Sequence, residues 1–339
     1  MHPFLRISIV LWAVALLWAC LPVASAGVPG QLAGYDLSEY SRLTSQVCPE
    51  FATYVTDHFV MVYEGPSFLV VHSARLTESA HDDFYGAFNN FDVRPLGSRL
   101  FWACFNKHES YQKYAQQADQ GDMSLLDGYY SAKTNRVALV WPSQASSVSD
   151  KEIIPASATQ PPPGIMYASP TETSTTGLYP DVDAPRIRHE AAHQLAFNSG
   201  LFKRGVMYPI WASEGLAVNF EYGSIEQSDI AENNAERCQY LIEGFQSGKL
   251  VPFDDFVTMT NVEFGRESTS MVYAQAWGFF NFLYKEYRPQ LKKYLSRLAD
   301  VSVGRRTPEK IRHEFEAAFG SMHDVARRWD QYLVCLNAR

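Results

Sequence analysis

The chain has 339 residues, 46% hydrophobic, 14% aromatic and 19% charged, so it lacks the low hydrophobicity and dense charge of a disordered protein. At roughly 100–200 residues per domain, that length allows about two domains. A formal net charge of -8 and the lack of any long basic run argue against a nucleic-acid partner, because phosphate binding depends on clustered Lys and Arg.

A short basic region ending at Arg6, an apolar run over 7–23 and the small residues Ala24-Ser25-Ala26 predict a signal peptide over 1–26, cleaved before Gly27. The alternative is a retained anchor, for which the run is barely long enough. Lipid attachment at Cys20 is disfavoured by the bulky Trp18 before it. Export to the periplasm or the extracellular space is therefore expected, with no stable membrane insertion after cleavage. Cys48, Cys104, Cys238 and Cys335 remain, an even number bound for an oxidising compartment, and two disulfides are expected. Their pairing stays open, and no Cys-x-x-Cys motif suggests a structural zinc knot.

Residues 58–63 and 67–72 read as β-branched and aromatic strands. Ala80, Phe84, Ala87 and Phe88 then recur at helical spacing up to Asn89-Asn90. Residues 100–105 read as a buried strand, and 109–118 as a helix. Tyr129-Tyr130 and 136–141 flank the polar Lys133-Thr134-Asn135 as a hairpin, so 27–142 forms an α/β layer. Residues 143–178, rich in Ser, Thr and Pro, read as a long irregular loop, either a flexible insertion or an active-site lid. Two helices are expected within 179–225. Over 226–339, helical periodicity marks 238–245, 273–287, 291–298, 308–319 and 325–336, and the fold class is α+β.

The chemistry concentrates in Arg188-His189-Glu190-Ala191-Ala192-His193-Gln194. On a helix, positions i and i+4 share a face, so both imidazoles can reach a single metal ion while Glu190 serves as general base. Asp183 before Ala184-Pro185 supplies a cap and Asn198-Ser199-Gly200 a stop. A third ligand is the test, since a catalytic zinc has three protein ligands and a structural one four. Six residues after His193 stands Ser199, which excludes the metzincin pattern. Instead, Trp211-Ala212-Ser213-Glu214-Gly215-Leu216-Ala217 places a glutamate 21 residues after His193, behind Pro209.

With that second segment the chain resembles the gluzincins, and more closely the peptidase MA-like zinc metallopeptidases. These pair a His-Glu-x-x-His-Gln helix with a Trp-x-x-Glu-Gly-Leu-Ala helix. The resemblance implies a zincin-like, thermolysin-like core and one catalytic zinc ion on His189, His193 and Glu214, with Glu190 as catalytic base. It also implies hydrolysis of a peptide or protein substrate. Tyr273, in Tyr273-Ala274-Gln275-Ala276-Trp277-Gly278, matches a tyrosine that donates to the oxyanion in related enzymes; packing in the core is its other reading. Residues 136–140 match the edge strand that holds an extended peptide, or form a plain structural hairpin.

Two departures stand out. Four positions after Glu214, where many gluzincins carry an acidic partner for a ligand histidine, stands Val218, so that partner must come from elsewhere. The Gly-x-Met-Glu-Asn strand that anchors a free amine is absent, which favours an endopeptidase. The rival reading is a catalytically silent zincin-like protein that binds a peptide or an envelope partner. His58, His72, His81, His108, His313 and His323 lack metal-ligand spacing and read as surface or satisfied core histidines. No Gly-x-Ser-x-Gly elbow or phosphate-binding glycine loop is present.

Overall fold

In the computed structural model, residues 35–123, 126–141, 165–167, 183–226, 230–262 and 269–338 are described. The expected signal peptide and nearly all of the 143–178 loop lie outside them. Helix α1 (Leu37–Ser45) starts at Asp36, whose carboxylate accepts from the Ser38 and Glu39 backbone N–H groups. Strand β1 (Ala52–Val55) then pairs antiparallel with β2 (Phe59–Tyr63).

The expected strand over 67–72 is instead the first turns of α2 (Ser67–Ala87), which follows Pro66 directly. Two causes act together. Buried Leu69, Ser73, Thr77, Ala80, Phe84 and Ala87 recur three or four residues apart, so Val70 and Val71 ride within a helical stripe despite their β-branching. In addition, β2 pairs parallel with β3 (Leu100–Phe105), and parallel neighbours need a long crossover, which α2 provides.

After α3 (His108–Ala118), β4 (Gly128–Ser131) and β5 (Arg136–Val140) form the expected antiparallel hairpin. Asn135 takes the left-handed conformation at its turn, with φ 59°. The sheet order is β1-β2-β3-β5-β4-β6, where β6 is Ile165–Tyr167, a short strand inside the segment expected to be irregular. This order corrects the placing of 136–140 at an edge. Strand β5 is interior, paired with β3 on one side and β4 on the other, so its backbone has no free edge for a peptide. Arg136 at its start is buried and bonded to Glu39 of α1.

Side chains alternate across the sheet. Phe59, Met61, Trp102, Cys104, Tyr130, Val137 and Leu139 face a core shared with α2, and Val60, Val62, Phe101, Ala103, Tyr129 and Ala138 face α1 and α3. Helices α4 (Ala184–Asn198) and α5 (Ile210–Val218) join the first core. The chain ends in α6 (Ile230–Asn233), α7 (Ala235–Gln246), α8 (Phe253–Thr258), α9 (Thr269–Glu286), α10 (Arg288–Asp300), α11 (Pro308–Phe319) and α12 (Met322–Asn337). This is a mixed α+β architecture with a helical C-terminal region, and the five helices expected there all form.

Helix α5 lies so close to α9 that a Cβ on Gly215 would sit 2.4 Å from the Ala276 carbonyl oxygen, which is backbone and cannot swing aside. Gly215→Ala is expected to destabilise the protein by about 1–3 kcal/mol in urea unfolding, because the helices must separate. An unchanged midpoint would show that the contact has slack.

No disulfide joins any two of Cys48, Cys104, Cys238 and Cys335, contrary to expectation. Cys104 lies inside β3 and Cys238 inside α7, so sheet and helix packing fix their positions apart from one another. Among the described residues, no helix is long and apolar enough to cross a membrane.

Candidate metal centre

Helix α4 begins as expected. Asp183 accepts from the Arg186 backbone N–H, Pro185 occupies the first turn, and the helix runs out before Gly200, whose φ is 83°. Its hydrophobic side is not confined to one stripe, since every residue from Pro185 to Phe197 is buried. A helix enclosed on all sides needs internal partners for its polar groups. Gln194 finds three, donating to the carbonyls of Phe101 (3.2 Å) and Asn135 (3.0 Å) and accepting from Trp102 Nε1 (2.8 Å). These bonds fasten the helix beneath β3 and the β4–β5 turn, and so fix its rotation.

That rotation brings His189 Nε2 and His193 Nε2 within 3.1 Å of each other. Glu214 enters from α5, where Pro209 occupies the cap position and every residue is buried. Its Oε2 lies 3.4 Å from His189 Nε2 and 3.4 Å from His193 Nε2. The triad is buried, with Glu214 only 4% exposed. Three donor atoms at the corners of a nearly equilateral triangle fit a tetrahedral ion, whose ligand atoms at bonds of about 2.0–2.1 Å stand roughly 3.3 Å apart. Glu214 Oε2 is buried without a hydrogen-bond partner, as expected for an atom arranged to face a cation. The residues therefore form a buried triad that can hold a metal ion.

Glu190 lies beside the Tyr130 backbone of β4 and is fully buried, with neither carboxylate oxygen hydrogen-bonded. Burial, with the charge of Glu214 added, pushes its carboxyl up to about 8 against the pull of His189 and Arg186. Glu214 moves the other way. Burial alone would raise it, but His193 and His189 hold it down to about 2. Burial would lower His189, yet the facing carboxylates of Glu214, Glu221 and Glu190 carry it up to about 10, while burial keeps His193 low. Burial and neighbouring charge thus push the ionisable groups of the site apart from their ordinary values, Glu190 up and Glu214 down.

Tyr273, near the start of α9, does reach this group. Its hydroxyl bonds Glu214, and burial together with the Glu214 charge raises it well above the usual phenol range, so it stays a donor. The Arg237 guanidinium stands 5.9 Å from the centre of its ring.

The partner missing at Val218 is Glu221. Its Oε1 lies 3.1 Å from His189 Nδ1, and its Oε2 accepts from Asn234 Nδ2 at 3.1 Å. Val218 points into the hydrophobic core instead. Helix α5 ends at Val218, and a turn at Asn219 and Phe220 carries the chain back so that the carboxylate arrives seven residues after Glu214 rather than four. That turn is held firmly. Asn219 donates to the carbonyls of Gly215 (2.7 Å) and Trp277 (2.9 Å), and Arg188, next to His189, donates to the Phe220 carbonyl at 2.8 Å. Glu221 lies beyond the end of α5, so helical spacing from Glu214 does not point to it. Arg237, 3.9 Å from Glu221 Oε1, and Asn234, which also caps α7, carry no sequence signal either. His193 differs from His189, for its Nδ1 is buried without a partner.

Residues 183–303, which carry the whole triad, Glu190, Glu221 and Tyr273, match a family model described as a protein of unknown function (DUF1570). No curated protein matches the chain.

Proposed function

We propose that this chain is an exported zinc metallopeptidase with a zincin-like core, cutting peptide bonds at the His189, His193 and Glu214 centre. The observation that carries this is the donor triangle closed by three side chains with the unpartnered carboxylate of Glu190 in the same enclosure. Three protein ligands leave a coordination position open, as catalysis needs and a structural site does not. A zinc ion bound there supplies Lewis acidity, polarising the scissile carbonyl and making water a nucleophile near neutral pH.

The chain's own residues do the rest. Glu190 takes a proton from the attacking water and passes it to the leaving amine, and its buried carboxylate, with neither oxygen hydrogen-bonded, is free to do so. Tyr273 keeps its proton and can donate to the developing oxyanion. Glu221 orients His189 through Nδ1, so that Nε2 faces the ion. An endopeptidase is favoured, since no amine-anchoring Gly-x-Met-Glu-Asn strand occurs in the sequence.

Metal content by mass spectrometry, paired with digestion of a broad peptide library, tests the proposal. Wild type is expected to hold a zinc ion that His193→Ala loses, and to cut peptides until a chelator strips it. Folded, zinc-loaded protein that cuts no peptide in the library would leave a binding protein in place of an enzyme.

A further inference from the structure

Away from this centre, His58, Glu78 and His81 come together. His58 precedes β2, while Glu78 and His81 stand three residues apart on α2 and so share a face. One carboxylate oxygen of Glu78 accepts from the His58 backbone N–H at 2.9 Å, and the other lies 2.6 Å from His58 Nδ1. The two imidazoles stack, with ring centres 3.5 Å apart and planes 17° from parallel. One ligand atom from each of the three residues lies within 4.8 Å of the other two.

We propose that His58, Glu78 and His81 form a second divalent-metal site, for a borderline ion such as zinc, that clamps the start of β2 to helix α2. Two imidazole nitrogens and one carboxylate oxygen are a donor set suited to such an ion rather than to calcium or magnesium. Two of the donors are held in advance. Glu78 is tied from the His58 main chain, and His81 Nδ1 lies 3.1 Å from the Asp82 carboxylate, which leaves Nε2 as the ligand atom. Side-chain exposures of 27% for His58, 26% for Glu78 and 13% for His81 give an ion access from solvent and room to keep water ligands.

Stacked rings do not aim their in-plane lone pairs at one point, so one imidazole turns as the ion binds and the stack opens. The same stretch of α2 supports the first centre. Ser79 and Asp83 accept from the Arg188 guanidinium, whose backbone neighbour is His189.

Zinc stoichiometry of the full chain, by equilibrium dialysis against micromolar Zn2+ and elemental analysis, tests the site in wild type, His81→Gln and His58→Asn. Circular dichroism confirms that each variant is folded. Wild type is expected to bind about two zinc ions and each variant about one, with a zinc-induced rise in melting temperature that shrinks in both variants. Equal stoichiometry in all three folded proteins would overturn the proposal. The difference between wild type and variants reads this site alone, and the ion left in the variants reads the His189, His193 and Glu214 centre. Failure of either is therefore seen separately.

Discussion

Glu190→Gln is expected to lower peptide hydrolysis by about 10²–10⁴-fold while leaving the zinc content unchanged. The replacement is nearly isosteric and breaks no hydrogen bond, because neither Glu190 oxygen has one. What it removes is the proton acceptor. A variant that cut peptides at the wild-type rate would show that another group moves the proton. The same change has a consequence for stability in metal-stripped protein. The folded-state carboxyl sits at about 8, above its ordinary 4.5, so the folded chain disfavours the charged form. Wild type therefore loses stability relative to the glutamine variant as pH rises from about 4.5, and the loss is complete above about 8. Melting temperatures at pH 5 and pH 8 check the sign, since the variant's advantage should be larger at pH 8.

The second large effect is expected at a residue that touches neither substrate nor ion. Glu221→Gln should weaken zinc binding by about 10–100-fold, because removing the charge beside His189 Nδ1 makes the ligand imidazole less basic and less firmly oriented. Asn234 and Arg237 stay near a side chain of the same length, so folding is expected to survive. Competition with a chelating dye measures the change. Unaltered affinity in Glu221→Gln would mean that the turn after α5, not the carboxylate, sets the orientation of His189.

The helical face of His189, Glu190 and His193 was legible because it depends only on local geometry. Any helix puts i and i+4 together, and the cap at Asp183 and the stop before Gly200 are written in adjacent residues. Glu214 was legible through the pattern around it. The close approach of α5 to α9 accounts physically for the glycine beside it. Helices α10, α11 and α12 were legible from apolar periodicity, since each buries one stripe of residues three or four apart, whereas α9 is buried on every side from Val272 to Tyr284.

Other features depend on partners distant in sequence. Whether 67–72 is strand or helix was settled by the parallel pairing of β2 with β3, which demands a crossover that local β-propensity does not report. The interior place of β5 follows from its second neighbour, β3, and Cys104 and Cys238 stay unbridged to each other because β3 and α7 fix where they sit. Glu221 reaches His189 through a turn that ends a helix early, and His58 meets Glu78 and His81 only because β2 and α2 pack against each other. The sequence by itself determined which ligands share the α4 face, because periodicity is a property of a single element. Only the tertiary structure decided what supports those ligands, because a second carboxylate or a second histidine cluster is assembled between elements whose contact no spacing along the chain encodes.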